Sequence, residues 1–158
     1  MTPNQKAFCD MIAHSEIGPD LLAVSDNGYN VIVGSTAAKP ILFDDYSDHP
    51  NQMQTMTIGN RTVVSSAAGR YQILYRFWTV YKSQLGLPDF SPVSQDAVAL
   101  QIFKERHALQ DIDAGMIANA ISRCSNIWAS LPGAGYGQHE NKLAGLLQAY
   151  TDAGGVLS

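Results

Sequence analysis

The sequence predicts an α+β fold in which a mainly helical body carries a small β-rich lobe near the N-terminus. Helix start and stop signals frame the first segment and return after residue 66, whereas residues 20–64 carry turn signals and short β-branched runs. The 158 residues are 46% hydrophobic and 15% charged, which suits a single domain over residues 1–158. The chain has no visible internal repeat, linker or low-complexity tract.

The N-terminal helix has a complete start signal. Thr2 is a suitable N-cap that forms a capping box with Gln5, and Pro3 fits the first helical position. Apolar side chains then recur at helical spacing, at Phe8, Met11 and Ile12. Gly18-Pro19 predicts the end of the helix, because glycine adopts the left-handed C-cap and proline cannot continue. We therefore expect Glu16 in the last turn of this helix or just past it.

The segment that follows predicts the β-rich lobe. Asp26-Asn27-Gly28 is a turn signal, and the run 29–33 behind it predicts a strand. Gly59-Asn60 separates two short β-branched runs and predicts a hairpin over 57–64. The polar stretch 43–51 between them predicts a loop that forms one wall of a cleft between the lobe and the helical body.

The rest of the chain predicts the helical body. An aromatic stripe predicts a helix over 71–85, which Gly86 ends, and Ser91-Pro92 begins another that runs to about 107. Shorter helices are expected over 113–124 and 125–130. A last helix is expected over 139–153.

The composition excludes several classes of partner and cofactor. A net charge of −4 and a pI near 5.4 argue against nucleic acid. Apolar stretches are far shorter than the ~20 residues of a membrane span, and no cleavable secretion signal is visible, so we expect no stable membrane association. The four histidines form no HExxH motif or i,i+4 pair, and phosphate-binding glycine motifs are absent. We expect no metal site and no cofactor.

The two cysteines are too few for a disulfide scaffold. Cys9 and Cys124 also lack CxxC spacing. We interpret both as small buried hydrophobic residues, and a single bridge between them stays open.

Glu16 stands apart from the other two glutamates as a candidate acid. Glu105 lies in a charged stretch of a helix, and Glu140 is expected in the first turn of the last helix, where an acid stabilises the dipole. Glu16 faces the negative end of its helix dipole, which raises its pKa, and burial against the apolar stripe would raise the pKa further. A carboxyl kept protonated near neutral pH can act as a general acid. The alternative is an exposed surface glutamate.

Aromatic and amide side chains supply the chemistry of saccharide binding, in which tyrosines stack on sugar faces and amides pair with hydroxyl and N-acetyl groups. Tyr46, Tyr71-Gln72 and Tyr136-Gly137-Gln138 place such side chains in loops or at the ends of elements. The glycine-rich surroundings of Tyr136 predict a loop that closes over a ligand. Tyr71 has an alternative role as a core residue of the helical stripe.

A series of motifs resembles the lambda-type phage endolysins, and the resemblance covers nearly the whole chain in order. The motifs are Ser15-Glu16, 28–34 (GYNVIVG), 45–50 (DYSDHP), 68–72 (AGRYQ), 94–100 (SQDAVAL) and 124–138 (CSNIWASLPGAGYGQ). The last of these is highly specific. The resemblance implies a small lysozyme-like fold and a lytic transglycosylase that degrades peptidoglycan.

The resemblance also implies that Glu16 is the sole catalytic acid. It would protonate the glycosidic oxygen between N-acetylmuramic acid and N-acetylglucosamine, and the C6 hydroxyl of the muramic acid would attack C1 to give a 1,6-anhydro end. The loop from Tyr46 to Thr62 and the segment around Tyr136 would form the two sides of the glycan groove. The expected substrate-binding residues are Asn30, Tyr46, Ser66, Tyr71, Gln72, Tyr136 and Gln138.

Two other functions stay open. Related hydrolytic lysozymes of T-even phages carry an aspartate shortly before a Gly-Tyr pair, so Asp26 could position a water in a muramidase that uses Glu16 with Asp26. The plainer role of Asp26 is that of a turn residue before Asn-Gly. A non-catalytic glycan-binding module would keep the groove and lack the chemistry.

The absent secretion signal and the resemblance together imply where the protein acts. It would accumulate as a monomer in the host cytoplasm and reach peptidoglycan in the periplasm only after a phage holin permeabilises the inner membrane. The expected partners are therefore peptidoglycan glycan strands and, for access during host cell lysis, a holin.

Overall fold

The computed structural model describes residues 1–137 and 139–158, which contain helices and one two-stranded sheet and so confirm the α+β class. The helices are α1 (Pro3–Ile17), α2 (Pro19–Ala23), α3 (Tyr75–Leu85), α4 (Pro92–Glu105), α5 (Leu109–Asp113), α6 (Ile117–Cys124) and α7 (Leu143–Asp152). The strands are β1 (Gln54–Ile58) and β2 (Arg61–Ser65). None of the helices in the described ranges is long and apolar enough to cross a membrane.

The chain divides into two compact units. The terminal unit consists of Met1–Glu16 and Ala99–Ser158, and the central unit consists of Ile17–Val98. The single domain expected over residues 1–158 stays a prediction.

The core of the terminal unit forms around the apolar face of α1. Phe8, Met11 and Ile12 are fully buried, which confirms the predicted stripe. The Phe8 ring packs edge-on against Phe103 with 5.0 Å between centroids, and Phe103 contacts Trp128 at 5.9 Å. Other large buried side chains are Ile112, Ile117, Ile121, Leu131, Leu146 and Tyr150. This packing holds α1 along its whole buried face.

Polar contacts fasten the start of α1. The backbone N–H of Thr2 donates to Gln5 Oε1 at 3.0 Å, and the backbone N–H of Gln5 donates to Thr2 Oγ1 at 3.2 Å, which confirms the capping box. Gln5 Nε2 also donates to a carboxylate oxygen of Asp113 at 2.9 Å. The C-terminal residue is held as well, since the N–H of Ser158 donates to the carbonyl of Gly115 at 3.2 Å.

The central unit contains the antiparallel hairpin of β1 and β2. Its register runs from Gln54 opposite Ser65 to Ile58 opposite Arg61, which leaves Gly59-Asn60 as the two-residue turn. The predicted hairpin is confirmed, and both strands extend beyond the predicted positions.

The polar segment 43–51 is a loop, as predicted, and buried side chains anchor its second half. His49 is buried, its Nε2 lies 2.8 Å from a backbone carbonyl, and its ring lies 4.7 Å from that of Phe90. Beside it, Asp48 accepts a hydrogen bond of 2.6 Å from the indole N–H of the buried Trp78. The loop is therefore held in place by side chains.

Gln95 ties three segments of the central unit together. Its side chain is fully buried, its Oε1 accepts from the N–H of Arg70 at 2.9 Å, and its Nε2 donates to the carbonyls of Tyr29 and Phe90 at 3.0 and 2.9 Å. The backbone passes so close that a Cβ on Gly69 would lie 2.2 Å from Gln95 Oε1. One amide thus satisfies three backbone groups.

The strand predicted over 29–33 is wrong. The segment forms only isolated bridges, from Val31 to Leu42 and from Ile32 to Ala68. The chain turns at both ends of the segment, where Gly28 and Gly34 have φ of +86° and +84°. It therefore joins neighbouring segments at single residues without continuing as a ladder.

The helix predicted from Tyr71 begins instead at Tyr75. Gly69 and Gln72 adopt φ of +78° and +47°, and a bridge between Ala68 and Ile73 closes a tight turn. A right-handed helix cannot pass through the left-handed Gln72, so α3 starts only beyond this turn.

The terminal unit also corrects the predicted helix boundaries. Gly115, with φ +73°, separates α5 from α6, so the helix predicted over 113–124 begins at Ile117. Residues 125–130 form turns where a helix was predicted, and the short helices α2 and α5 were not predicted.

The last helix begins four residues later than predicted, at Leu143. Lys142 has extended backbone, and the N–H of Asn141 donates to the carbonyl of Ser130. The extended backbone of Lys142 is not helical, so α7 starts only at the next residue. Glu140 consequently precedes α7, and its predicted place in the first helical turn is wrong.

Replacing Gln95 by leucine is expected to lower the free energy of unfolding by about 3 kcal/mol, because three backbone groups of the central unit lose their partner. Urea denaturation followed by circular dichroism measures the change. Gln52→Leu, at an exposed glutamine of the same unit, is the matched control and should change stability by less than about 0.5 kcal/mol. Equal costs for the two variants would contradict the role given to Gln95.

Candidate active site

Glu16 lies in the last turn of α1, as predicted, and its side chain is half-buried. The hydroxyl of Ser130 donates a hydrogen bond to Glu16 Oε1, and the backbone of Ser130 makes a further hydrogen bond to the carboxyl. The two residues are 114 positions apart in the chain. The fold of the terminal unit therefore brings a hydroxyl donor to this carboxyl.

Burial raises the pKa of the Glu16 carboxyl above its ordinary value of 4.5, and the hydrogen bonds with Ser130 act in the opposite direction. Neither cause involves another carboxylate. The burial expected from the sequence is thus the main source of the shift. A carboxyl with a raised pKa keeps its proton to higher pH and is suited to general acid catalysis.

The hydrogen bonds continue from Ser130 to two more side chains. The hydroxyl oxygens of Ser15 and Ser130 lie 2.7 Å apart, and Asn141 Nδ2 donates to Ser15 Oγ at 3.0 Å. The backbone N–H of Asn141 also donates to the carbonyl of Ser130 at 2.8 Å. Glu16 is therefore the end of a series of four polar side chains.

Residues 132–137, the glycine-rich loop, are held by Glu140. One carboxylate oxygen accepts from the N–H of Gly133 and the other from the N–H of Gly135, both at 2.9 Å. These backbone hydrogen bonds lower the pKa of Glu140. Glu140 thus organises this loop and does not have the helix-dipole role predicted for it.

Tyr136 projects from the glycine-rich loop with 57% of its surface exposed. Its hydroxyl donates to the carbonyl of Asn126 at 2.8 Å. An exposed ring held at its hydroxyl end leaves a face available for stacking, and the sugar-binding role stays a prediction. Gln138, predicted beside it, lies outside the described residues.

In the central unit, two of the predicted substrate-binding residues contact Asp26. The hydroxyl of Tyr46 donates to Asp26 Oδ2 at 2.6 Å, and Asn30 Oδ1 accepts from the backbone N–H of Asp26 at 2.9 Å. Burial and the hydrogen bond to Asp26 raise the pKa of Tyr46. These two residues and the alternative second acid therefore form one cluster.

The other three predicted residues of the central unit take part in its folding. Tyr71 is 1% exposed and donates to Asp96 Oδ1 at 2.6 Å, so its ring offers no face to a sugar. Gln72 donates to a backbone carbonyl of its own turn at 2.9 Å. Ser66 accepts from the N–H of Tyr75 at 3.1 Å, at the start of α3. The core role given as the alternative for Tyr71 is the one that its burial favours.

Both cysteines lie in the described part of the chain, and neither forms a disulfide. Cys9 and Cys124 are both buried thiols. Within residues 1–137 and 139–158, no group of three or more His, Cys, Asp or Glu side chains is placed to hold a metal ion.

Sequence reasoning missed Ser130, Asn141 and the part played by Glu140. Ser130 stands within the motif 124–138, which was the only signal for it. Serine and asparagine are common surface residues, and no local pattern distinguishes those that reach a distant carboxyl.

Comparisons with known proteins decide the family. A sequence model of the endolysin family matches residues 6–157. The chain is also 55% identical to the endolysin of Escherichia phage lambda over 155 residues, which cover 97% of this chain and 92% of that protein. The chain belongs to the endolysin family.

Further matches extend the likeness of this endolysin to the fold. It is 52% identical over 155 residues to the endolysin of Escherichia phage P2, with 97% of this chain and 94% of that protein covered. A structure of bacteriophage lambda lysozyme complexed with a chitohexasaccharide matches with a TM-score of 0.90 and 52% identity, over 100% of this chain and 98% of that chain. A second structure of lysozyme from bacteriophage lambda matches with a TM-score of 0.86, 51% identity and the same coverage. The predicted lysozyme-like fold is confirmed, and this endolysin is a lysozyme-like enzyme that cleaves peptidoglycan.

Replacing Glu16 by glutamine is expected to stabilise this endolysin at neutral pH. The folded state has the higher pKa, so as pH rises above 4.5 the unfolded chain releases its proton first and the folded state loses stability relative to it. Glutamine carries no charge and avoids this loss. Thermal unfolding should show Glu16→Gln to be more stable at pH 7 and equal to the parent below about pH 4. A difference that is independent of pH would contradict the raised pKa.

Replacing Glu140 by alanine is expected to loosen the glycine-rich loop, because the N–H groups of Gly133 and Gly135 lose their acceptor. Hydrogen–deuterium exchange should become faster at these two amides. The amides of α7 in the same sample serve as the internal control and should keep their protection. Unchanged exchange at Gly133 and Gly135 would show that Glu140 does not hold the loop in solution.

Proposed function

We propose that this endolysin is a lytic transglycosylase that cleaves the β-1,4 bond between N-acetylmuramic acid and N-acetylglucosamine, with Glu16 as its catalytic acid and then its base. The observation that supports this most directly is the burial of one carboxyl with a raised pKa, whose contacts are with the hydroxyl and backbone of Ser130. Its environment favours a group that gives up a proton and takes one back.

The proposed reaction needs no second carboxylate. Glu16 gives its proton to the glycosidic oxygen, the bond from C1 of the muramic acid to that oxygen breaks, and the N-acetylglucosamine residue leaves with a hydroxyl. The C6 hydroxyl oxygen of the same muramic acid then bonds to C1, and its proton returns to Glu16. No water is consumed, and the product ends in a 1,6-anhydro sugar.

An internal nucleophile explains how one acid suffices. Glycosidases that use water or a covalent intermediate employ two carboxylates, one as the acid and one as the base or nucleophile. A hydroxyl held in the same sugar ring has a high effective concentration at C1 and replaces the second group. No other carboxylate contributes to the raised pKa of Glu16, as this mechanism allows.

Glycan binding is supported by the similar lambda lysozyme, which was solved in complex with a chitohexasaccharide. We assign the exposed ring of Tyr136 to stacking on a sugar face. Tyr46 and Asn30 would add polar contacts from their cluster with Asp26. These contacts are proposed for each unit by itself, with a stacking face in the terminal unit and polar groups in the central unit.

A hydrolytic muramidase is the second candidate, and it depends on Asp26. The side chain is exposed, and Tyr46 orients one of its carboxylate oxygens, as a residue that positions a water would require. The contact of its backbone with Asn30 and the positive φ of Asn27 fit the plainer role in a turn. Transglycosylation is the first choice because the motifs around both acids resemble those of the lambda-type endolysins.

The cellular setting follows the same proposal. The enzyme would accumulate as a monomer in the host cytoplasm and gain access to periplasmic peptidoglycan once a phage holin has permeabilised the inner membrane. Host cell lysis would then result from cleavage of the glycan strands.

Mass spectrometry of digested peptidoglycan tests the proposal, because an anhydro end is lighter by one water than a reducing end. We expect anhydro ends from the parent enzyme. Reducing ends alone would establish the muramidase instead.

Variants of Glu16 and Asp26 test which of these acids takes part in catalysis. Glu16→Gln keeps the shape of the side chain and cannot donate the proton, so clearing of a cell-wall suspension should slow by at least about 100-fold. Asp26→Asn should clear at close to the parent rate, as should the control Asp20→Asn at another exposed aspartate of the central unit. A large loss in Asp26→Asn with an active Asp20→Asn would support the hydrolytic mechanism.

A further inference from the structure

The polar side chains behind Glu16 form a series that ends at an asparagine. Glu16 accepts from the Ser130 hydroxyl, the hydroxyl oxygens of Ser130 and Ser15 lie 2.7 Å apart, and Ser15 Oγ lies 3.0 Å from Asn141 Nδ2. All four residues belong to the terminal unit. None of the three behind Glu16 is titratable, so the series can act on the acid only through the direction of its hydrogen bonds.

The number of hydrogens on each group fixes this direction when Glu16 is ionised. A carboxylate only accepts, so the single hydroxyl hydrogen of Ser130 points to Glu16 Oε1. Ser130 Oγ must then accept from Ser15, and Ser15 Oγ can accept from Asn141. Three donors in series therefore point towards the carboxylate.

The side-chain amide of Asn141 is held in the orientation that this requires. Its Nδ2 lies 3.2 Å from the carbonyl oxygen of Ser15 and 3.4 Å from that of Ser130. Carbonyl oxygens only accept, so the amide nitrogen and not the amide oxygen must face them. The amide therefore offers Ser15 a donor and no acceptor, and the Ser15 hydroxyl hydrogen is directed to Ser130.

We propose that Asn141 is a positioning residue: it sets the direction of the Ser15 and Ser130 hydroxyls so that both donate towards Glu16 and stabilise the charge that grows on Glu16 as its proton leaves. This inference rests on the proposed role of Glu16 as the catalytic acid. Donors that already point at a developing charge lower the barrier without reorganising during the reaction.

Asn141 lies next in the chain to the residue that holds the glycine-rich loop. Its backbone N–H closes the segment from Ser130 by donating to the Ser130 carbonyl, and the preceding residue, Glu140, holds the glycine-rich loop. The residues that orient the acid and the residue that fixes the loop are therefore consecutive.

The test is the pH dependence of kcat on purified peptidoglycan in Ser15→Ala, Asn141→Ala and the double variant. Each single variant should lower kcat roughly threefold to tenfold. Loss of donors raises the pKa of Glu16, so the alkaline limb of each profile should move to higher pH. If Asn141 acts through Ser15, the double variant should resemble the more affected single variant, because the two changes remove the same effect.

Two controls keep the result interpretable. Asn119→Ala, at an exposed asparagine of α6, should leave kcat and the alkaline limb unchanged. Thermal unfolding identifies any variant that is merely unstable, and Ser15→Ala removes a single oxygen should Asn141→Ala fold poorly. An alkaline limb that stays in place in both single variants, or effects that add fully in the double variant, would overturn the proposal.

Failure of this inference is distinct from failure of the proposed function. If the Glu16→Gln enzyme is active, Glu16 is not the catalytic acid, and both proposals fail. An inactive Glu16→Gln enzyme together with unmoved pH profiles in the Ser15 and Asn141 variants would reject the positioning role alone.

Discussion

The partial burial of one carboxyl group is the constraint on which the site of this endolysin depends. A charged carboxylate is unfavourable in such a position, so the fold must keep Glu16 protonated or provide donors for its ionised form. The terminal unit does both, because burial raises the pKa and Ser130 supplies hydrogen bonds that oppose the rise. A group balanced in this way can release a proton and recover it, as the two steps of the proposed transglycosylation require.

The rest of the terminal unit makes that burial possible. The capping box fastens the first turn of α1, and the packing of Phe8 against Phe103 fixes its apolar face, so the helix can carry a destabilised group in its last turn. Beyond the acid, Glu140 holds the glycine-rich loop through two backbone amides. A packed helix thus presents the acid, and a largely exposed loop held by Glu140 presents Tyr136.

The fold could be predicted from the sequence wherever local preferences decide the structure. The capping box of α1, the turn at Gly59-Asn60 and the start of α4 at Pro92 each depend on residues only a few positions apart, and each was confirmed. Predictions were wrong where distant contacts override local preference. The β-branched run 29–33 has the composition of a strand, but single bridges to two separate segments leave it without a ladder.

The candidate site also combines features set by local sequence with features set by distant contacts. The sequence by itself predicted the place of Glu16 at the end of a helix, because helix signals are properties of the chain. Its choice as the candidate acid depended on the scarcity of glutamate and on the resemblance to the lambda-type endolysins. Only the tertiary structure decided that Ser130 reaches this carboxyl, that Asn141 reaches Ser15 and that Tyr71 is buried. Hydrogen-bond partners 114 positions apart and the packing around a ring are set by how segments meet. Sequence spacing indicates which residues are able to perform chemistry, whereas tertiary packing determines which of them come into contact.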